Sequence, residues 1–152
     1  MDPADRLALT TLAARYAQAV DRRDIAAVAA LCTSEVVLVL PPELNRADTP
    51  AVLRGREAVA RAVVSAVSHL VATRHVVEQQ VVETGTPGRA YGETYCTAHH
   101  IYTRGDGHRD NRIALRYRDT FEYSGGTWLF SRRELVVDFA EDVPVTRPAA
   151  GS

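Results

Sequence analysis

The 152-residue chain has nearly balanced charge, with 18 basic residues, 19 acidic residues and a formal net charge of -1. We expect a single domain with a sizeable core, no nucleic-acid partner because no basic stripe occurs, and no membrane span because no apolar run reaches about 20 residues. The opening MDPAD is unlike a secretion signal and only two cysteines occur, so we expect a cytoplasmic protein with both thiols reduced.

Every Lys or Arg position is occupied by arginine. A chain without lysine cannot form a Schiff base with a carbonyl substrate or with pyridoxal phosphate, which excludes lysine catalysis. The glycine-rich nucleotide-binding motifs and the GxSxG nucleophile motif are also missing from the sequence. We therefore expect an activity that needs no cofactor.

The first half of the chain has mainly helical patterns. Apolar residues at helical spacing in ADRLALTTLAARYAQAVDRRD predict a first helix, with a buried stripe formed by Leu9, Leu12, Ala13, Tyr16, Ala17 and Val20. Asp24 stands at the N-cap position of a short second helix, IAAVAALC. EVVLVLP then predicts a strand, and GREAVARAVVSAVSHL predicts a third helix after a loop.

The second half is rich in β-branched, aromatic and turn residues. Two long hairpins are predicted, one from TRHVVEQQVVET and RAYGETYCTAHHIYT and one from NRIALRYRDTFEY and TWLFSRRELVVDF. Helices followed by antiparallel strands favour an α+β domain in which a strongly curved, mostly antiparallel sheet wraps around three N-terminal helices. The predicted domain covers residues 4–139, and residues 140–152 are predicted to form a flexible tail.

The strand that contains YCTAHHIYT carries two adjacent histidines, which must point to opposite faces of a sheet. One face has small side chains and a single imidazole, namely Thr94, Cys96, Ala98 and His100. A concave face has to leave room for a ligand, so we predict that His100 points inward. A single β-bulge would reverse this alternation and bring His99 into the pocket instead.

The last predicted strand leaves a similar choice open. Unbroken alternation places Glu134 on the face of Trp128 and Phe130. A carboxylate beside an inward histidine would form a second acid–base pair. The alternative is a surface ion pair between Glu134 and Arg116 or Arg118 on the neighbouring strand.

The sequence RYRD on that neighbouring strand has two interpretations as well. Tyr117 and Asp119 could both lie in the pocket, because they are two residues apart on one strand. Cross-strand charge pairs explain Arg116, Arg118 and Asp119 equally well.

Several motifs follow one another along the chain: Y....D..D at Tyr16, Asp21 and Asp24, TRHVV around His75, then YCTAHH and RYRDTFEYSGGTWLFSRR. In this order the chain resembles the SnoaL-like branch of the nuclear transport factor 2-like superfamily, from about residue 4 to residue 139. The resemblance implies a cystatin-like, conical half-barrel whose open end is plugged by the helices, with a deep and mainly apolar pocket. This fold hosts several enzyme classes and also non-catalytic subunits, so it does not define the function.

The resemblance also implies a site. In bile-acid and scytalone dehydratases of this superfamily, a tyrosine and an aspartate near the end of the first helix act with a histidine on the strand after the third helix, and Tyr16, Asp21 and His75 match these positions. An aspartate bonded to one ring nitrogen of a histidine fixes its tautomer and raises the basicity of the other nitrogen. His75 would then be a general base or acid, and the Tyr16 hydroxyl would bind a carbonyl oxygen that gains negative charge.

Structural alternatives exist for each of these three residues. Asp21 could cap the second helix, Tyr16 could be a core aromatic on an apolar stripe, and His75 could have a purely structural role. A metal site is not expected, because adjacent strand histidines diverge and no HxH or HxxxH spacing occurs.

The sequence therefore predicts a cofactor-independent isomerase, cyclase or dehydratase that acts on an apolar polyketide-, terpenoid- or steroid-like molecule. The alternative is a non-catalytic ligand-binding or subunit-type member of the same fold. A homodimer packed through the convex faces of the sheets is expected. The candidate catalytic residues are Tyr16, Asp21, His75, His100 and Glu134. The candidate substrate contacts are Tyr91, His99, Tyr117, Trp128 and Phe130.

Overall fold

A curved, unclosed sheet forms the frame of the structure, a computed structural model that describes residues 1–149. Its strands in this part of the chain are β1 Cys32–Leu40, β2 Ala51–Arg54, β3 Ala72–Thr84, β4 Arg89–Arg104, β5 Gly107–Ser124 and β6 Thr127–Val145. They lie in the order β2-β1-β6-β5-β4-β3, and all neighbours are antiparallel except β1 and β6, which are parallel. The predicted α+β class with a mostly antiparallel curved sheet is confirmed.

The helices of this region are α1 Pro3–Asp21, α2 Ile25–Ala30, α3 Pro42–Asn45 and α4 Arg56–Val67. Asp24 caps α2 as predicted, because its carboxylate accepts the main-chain N–H of Ala27 at 2.9 Å. The three predicted helices are α1, α2 and α4. The segment predicted to be a loop before α4 also contains α3 and β2, which the sequence did not predict. Elements of four residues are too short to show a hydrophobic period. Within residues 1–149, no helix is long and apolar enough to cross a bilayer.

The core lies between the helices and the inner face of the sheet. The predicted apolar stripe of α1 is buried along its whole length, from Leu9 to Val20. It packs with Phe121 and Phe130, which are 0% and 1% exposed. Each fully buried side chain of this size contributes roughly 1.5–3 kcal/mol of hydrophobic free energy. This packing holds α1 on the inner face of the sheet.

A β-bulge at Ser131 interrupts the pairing of β6 with β5. Phe130 is buried before the bulge and Arg133 is buried after it, so the inward positions are three residues apart instead of two. The prediction of unbroken alternation on this strand was therefore wrong beyond Phe130. As a result, Glu134 does not face the core.

Strand β6 also continues further than predicted. Residues 140–145, expected to begin a flexible tail, belong to β6 and pair with residues 108–113 of β5. Their sequence AEDVPV has no alternating apolar pattern, and main-chain hydrogen bonds to β5 do not require one. Residues 146–149 have no regular secondary structure. The rest of the predicted tail, residues 150–152, lies outside the described residues.

Candidate active site

A cavity of about 590 Å³ lies between the helices and the inner face of the sheet. Most of its wall is apolar and includes Val20, Leu38, Val63, Ile113, Leu115 and Leu135. Polar groups on the wall include His75, His100 and Asn111. Small-molecule pockets typically enclose about 300–1,000 Å³ and combine apolar walls with a few placed polar groups. The cavity therefore suits a largely apolar small molecule.

Asp21, the last residue of α1, is bonded to His75 on β3. Its Oδ1 lies 2.7 Å from Nδ1 of His75 and accepts the hydroxyl of Thr73 at 3.0 Å, and its Oδ2 accepts the main-chain N–H of His75 at 3.1 Å. Burial would raise the pKa of Asp21, but the hydrogen bonds from His75 and Thr73 outweigh it and hold this pKa below its usual value. Asp21 is thus a carboxylate directed at His75 and does not cap α2, which is the role of Asp24.

The turn between α1 and α2 places Asp21 at this position. Arg23 adopts the left-handed conformation, with φ of 54°. Its guanidinium donates to the main-chain oxygen of Asp21, the hydroxyl of Thr73 and the main-chain oxygen of Val67, at 2.9, 2.7 and 3.1 Å. A left-handed non-glycine residue costs about 1–3 kcal/mol, which these bonds offset. Arg23 therefore ties the end of α1 to β3 and α4.

His75 and His100 lie together on the cavity wall. Their ring centroids are 5.9 Å apart at an interplanar angle of 70°, and the side chain of His75 is 9% exposed. His100 faces the cavity, as the alternation on β4 predicted. Burial and the nearby His75 ring lower the pKa of His100 to about 4, so His100 is neutral at neutral pH. With Nδ1 of His75 bonded to Asp21, Nε2 is the nitrogen available to a bound molecule.

Two tyrosines line the cavity beside a buried cation. The rings of Tyr16 and Tyr117 lie 4.2 and 3.8 Å from the guanidinium carbon of Arg133, which is 3% exposed. Asp119 accepts two hydrogen bonds of 2.8 Å from this guanidinium. Burial raises the pKa of Tyr16 to about 12, although Arg133 acts in the opposite direction. Tyr16 therefore keeps its proton at neutral pH and can donate a hydrogen bond into the cavity.

Three predicted site residues lie away from the cavity, on the outer side of the sheet. Glu134 accepts a hydrogen bond from Arg132 at 3.0 Å, because the bulge at Ser131 turns it outward. His99 points away from His100, and its Nδ1 lies 2.6 Å from Asp110. Tyr91 is 45% exposed, because it alternates with the buried Ala90. The predictions that placed these side chains in the pocket were wrong.

Two predicted aromatic contacts belong to the core. Trp128 donates from Nε1 to Asp5 of α1 at 2.8 Å, and Phe130 packs against Phe121 with centroids 5.3 Å apart. Neither lines the cavity, because α1 covers this end of the sheet. Tyr117 does line the cavity, as predicted.

The charged residues of RYRD form cross-strand pairs, the second of the two interpretations. Asp119 pairs with Arg133 and does not line this cavity. Arg116 and Arg118 both donate to Glu93 of β4, at 3.4 and 3.2 Å. Glu134 is therefore not the partner of either arginine.

Sequence reasoning missed several side chains of the cavity. Alternation along β5 from Tyr117 would have placed Asn111 on the inner face, and alternation along β4 from His100 would have placed Tyr102 there. Asp142 on β6, which also lines the cavity, had no such signal, because irregular pairing shifts its register. The same irregular pairing hid Arg133, which is buried beside the cavity without lining it. A bulge of this kind leaves no pattern in a single sequence.

Other chemistries find little support in the described residues. Within residues 1–149, no three His, Cys, Asp or Glu side chains are grouped so that they could hold a metal ion. Cys32 and Cys96 are buried and free, and burial raises the pKa of each thiol to about 11. Neither cysteine is therefore a thiolate nucleophile at neutral pH.

The profile of the SnoaL-like domain matches residues 2–134, which is most of the chain. The chain belongs to the SnoaL-like family. Comparison of this SnoaL-like protein with curated proteins found no match.

Solved structures similar to this SnoaL-like protein share its fold at low sequence identity. A Novosphingobium aromaticivorans protein that carries the name scytalone dehydratase is 21% identical, with a TM-score of 0.76 over 98% of this chain and 95% of that one. The hexachlorocyclohexane dehydrochlorinase LinA-type3 of Novosphingobium barchaimii is 18% identical, with a TM-score of 0.75 over 98% and 92%. A Nostoc punctiforme protein with a cystatin-like fold is 20% identical, with a TM-score of 0.68 over 91% and 94%. These matches agree with the predicted cystatin-like fold.

Proposed function

We propose that this SnoaL-like protein is a cofactor-independent acid–base enzyme, of the lyase or isomerase class, that acts on an apolar small molecule. The observation that carries the proposal is the 2.7 Å contact between Asp21 and Nδ1 of His75 on the wall of a largely apolar cavity. Two structural neighbours, which carry the names of a dehydratase and a dehydrochlorinase, support elimination chemistry within this fold.

His75 moves the proton in this proposal. Its Nε2 takes a proton from a carbon next to a carbonyl group, and Asp21 stabilises the imidazolium that forms. In a dehydration, the imidazolium gives a proton to the departing hydroxyl group, so that water leaves and His75 is neutral again. In an isomerisation the proton returns to a different carbon, and in a cyclisation it goes to the alkoxide formed when a carbanion attacks a carbonyl.

Tyr16 and His100 assist without changing their charge. The Tyr16 hydroxyl, which stays protonated, donates a hydrogen bond to the carbonyl oxygen as negative charge develops there. The permanent charge of Arg133 beside its ring makes this hydroxyl a stronger donor. The neutral ring of His100 orients the hydroxyl group that leaves or moves.

The substrate class follows from the size and lining of the cavity. We infer a polyketide-, terpenoid- or steroid-like molecule with a carbonyl group, since about 590 Å³ of mainly apolar space accommodates a fused-ring or branched hydrocarbon body. Such a reaction belongs to the biosynthesis or breakdown of secondary metabolites. The buried free thiols support a cytoplasmic location.

The test is enzyme-catalysed deuterium incorporation in heavy water, which needs no knowledge of the natural product. A ketosteroid, a tetralone and a β-hydroxy ketone are incubated with the protein, and deuterium at the carbon next to the carbonyl is measured by mass spectrometry. We expect the wild type to accelerate incorporation into at least one compound. His75→Ala should reduce this acceleration by about 100-fold or more, because it removes the general base.

His99→Ala is the matched control, since His99 also pairs with an aspartate but lies outside the cavity. Its incorporation rate should equal that of the wild type, and thermal unfolding should show that both variants fold. If the compounds bind, as detected by protein NMR, but the wild type accelerates no exchange, the non-catalytic binding role replaces the proposed activity.

We also propose that the protein is a homodimer packed through the outer face of the sheet. This face exposes the apolar side chains Val76 and Val81. It also carries both signs of charge, including Glu93 and Arg118, which a second copy related by a two-fold axis could match. Sedimentation equilibrium at micromolar concentration should give twice the chain mass, and a monomer would contradict this assembly.

A further inference from the structure

Asp110 lies behind the cavity wall, on the outer side of β5, with both carboxylate oxygens engaged. Its Oδ1 accepts the main-chain N–H of His100 at 3.0 Å. Its Oδ2 lies 2.6 Å from Nδ1 of His99 and accepts Nε–H of Arg112 at 2.9 Å. Asp110 is only 1% exposed, so it is a fully bonded carboxylate inside the protein and not an ordinary surface acid.

The charge of Asp110 is retained despite this burial. Burial would raise its pKa, but the hydrogen bonds from His99 and Arg112 outweigh burial and hold the pKa of Asp110 below its usual value. A full negative charge is therefore present at neutral pH, directly bonded to the main chain of His100. His100 is the histidine whose ring faces the cavity.

The ring of His100 is subject to opposing electrostatic effects. Burial disfavours its protonated form most strongly, His75 and His69 add to this, and the carboxylates of Asp110 and Asp21 oppose it. Titratable and charged groups surround it from all the elements around the cavity, namely Tyr16 and Asp21 of α1, Glu43 of α3, Arg46 after α3, His69 after α4, His75 of β3, Tyr102 of β4, Asp110 and Tyr117 of β5 and Asp142 of β6. Asp21 is bonded to His75 and Asp142 to Tyr102, whereas Asp110 is bonded to the main chain of His100 itself.

We propose that Asp110 is a positioning residue for His100: from the outer side of the sheet its buried carboxylate fixes the main chain of His100 and places a negative charge behind the ring that faces the cavity. Asp110 does not line the cavity, so it acts only through His100. The catalytic consequence of this inference rests on the proposed function, whereas the effect on His100 does not.

The test is an NMR titration of protein labelled with ¹³C and ¹⁵N in histidine, which requires no substrate. The wild type is compared with Asp110→Asn, which keeps the shape of the side chain and removes its charge. We expect the proton affinity of the His100 ring to fall at least about threefold in Asp110→Asn, which corresponds to about half a pKa unit. Because no turnover is measured, failure of the proposed enzymatic function would not affect this result.

Glu93→Gln is the matched control for the titration. It removes another carboxylate of the outer face, bonded to Arg116 and Arg118, and leaves the contacts of Asp110 with His99, Arg112 and the main chain of His100 in place. The proton affinity of His100 should stay within about twofold of the wild type. An equal fall in both variants would indicate general loosening of the outer face and overturn the proposal, as would an unchanged affinity in Asp110→Asn.

A second measurement at neutral pH covers the case in which Asp110→Asn does not stay folded in acid. Hydrogen–deuterium exchange of the His100 main-chain amide is compared in the wild type, Asp110→Ala and His99→Ala. Exchange should be at least about tenfold faster in Asp110→Ala than in His99→Ala. Equal exchange rates in the two variants would contradict anchoring of the His100 main chain by Asp110.

Discussion

Within residues 1–149, two aspartate–histidine pairs lie on opposite faces of the same sheet. Asp21 and His75 are 2.7 Å apart on the inner face, and Asp110 and His99 are 2.6 Å apart on the outer face. Both pairs join Nδ1 of the histidine to a carboxylate. They differ in their surroundings, because His75 lines the cavity while the side chain of His99 is 26% exposed outside it. The geometry of an aspartate–histidine pair therefore does not by itself identify a catalytic site. The pair can act on a bound molecule only where the second ring nitrogen, Nε2, faces a cavity.

The two pairs are also assembled differently. Asp110 and His99 are 11 residues apart within the hairpin of β4 and β5, so local strand pairing brings them together. Asp21 and His75 are 54 residues apart and meet only when α1 packs onto the sheet. The inner pair consequently depends on the whole fold, whereas the outer pair depends on one hairpin.

Replacement of each aspartate by asparagine should give the largest contrast between the faces. Asp21→Asn removes the charge that stabilises the His75 imidazolium, so the deuterium-incorporation rate should fall about 100- to 10,000-fold. Asp110→Asn acts only through His100 and should reduce the rate less than about tenfold. Equal losses in the two variants would show that the inner pair has no special role.

An arginine of the core and an arginine of the outer face should differ strongly in their effect on stability. Arg133→Met leaves the buried carboxylate of Asp119 without its cation, which should lower the free energy of unfolding by about 3–5 kcal/mol. Arg116→Met removes an outer-face pair with Asp138 and should change the melting temperature far less. Urea and thermal unfolding of both variants measure the change in the free energy of unfolding. A similar decrease in the two variants would contradict the burial of Arg133 in the core.

The inner face should also make stability depend on pH. The pKa of His100 is about 4 in the folded protein, whereas a histidine in an unfolded chain has its ordinary pKa of 6.5. The unfolded chain therefore binds more protons than the folded protein between pH 4 and pH 6.5. Its contribution to the free energy of unfolding is retained above pH 6.5 and falls as the pH drops towards about 4, by at most about 3 kcal/mol. His100→Phe should remove this part of the slope in urea unfolding and His99→Phe should retain it. An unchanged slope in His100→Phe would be inconsistent with a buried neutral ring.

The smallest effect is expected at Glu134, a carboxylate on the outer face of the sheet. Glu134→Gln removes a half-exposed contact with Arg132, so the free energy of unfolding should change by less than about 0.5 kcal/mol. The deuterium-incorporation rate should match that of the wild type. A loss comparable with that of Asp21→Asn would mean that Glu134 reaches the substrate after all.

Much of the fold was predictable because its regular elements have clear periods. The apolar stripe of α1 repeats at helical spacing, the Asp24 cap precedes α2 directly, and the small residues of β4 alternate without interruption up to His100. The short α3 and β2 were not predictable, since four residues show no period. The end of β6 was missed because its pairing with β5 depends on main-chain hydrogen bonds and not on side-chain hydrophobicity.

The candidate site was predictable where it lies on unbroken elements. Tyr16, Asp21 and His75 were identified by resemblance to a family, and His100 by alternation. Beyond Ser131 the prediction failed, because one extra residue in β6 turns Glu134 outward and brings Arg133 into the core. Charge alone would have argued against burying an arginine, and only the three-dimensional position of Asp119 makes that burial favourable.

The most direct test of the central claim is the ¹⁵N NMR spectrum of His75 in the folded, ligand-free protein at neutral pH. If Asp21 orients His75 as the general base, Nδ1 carries the proton and Nε2 has a free lone pair directed into the cavity. The Asp21→Asn variant should lose this strict preference, while Asp110→Asn should keep it. A proton on Nε2 of His75 in the wild type would leave His75 without a basic nitrogen that faces the cavity, and would contradict its proposed role as the general base.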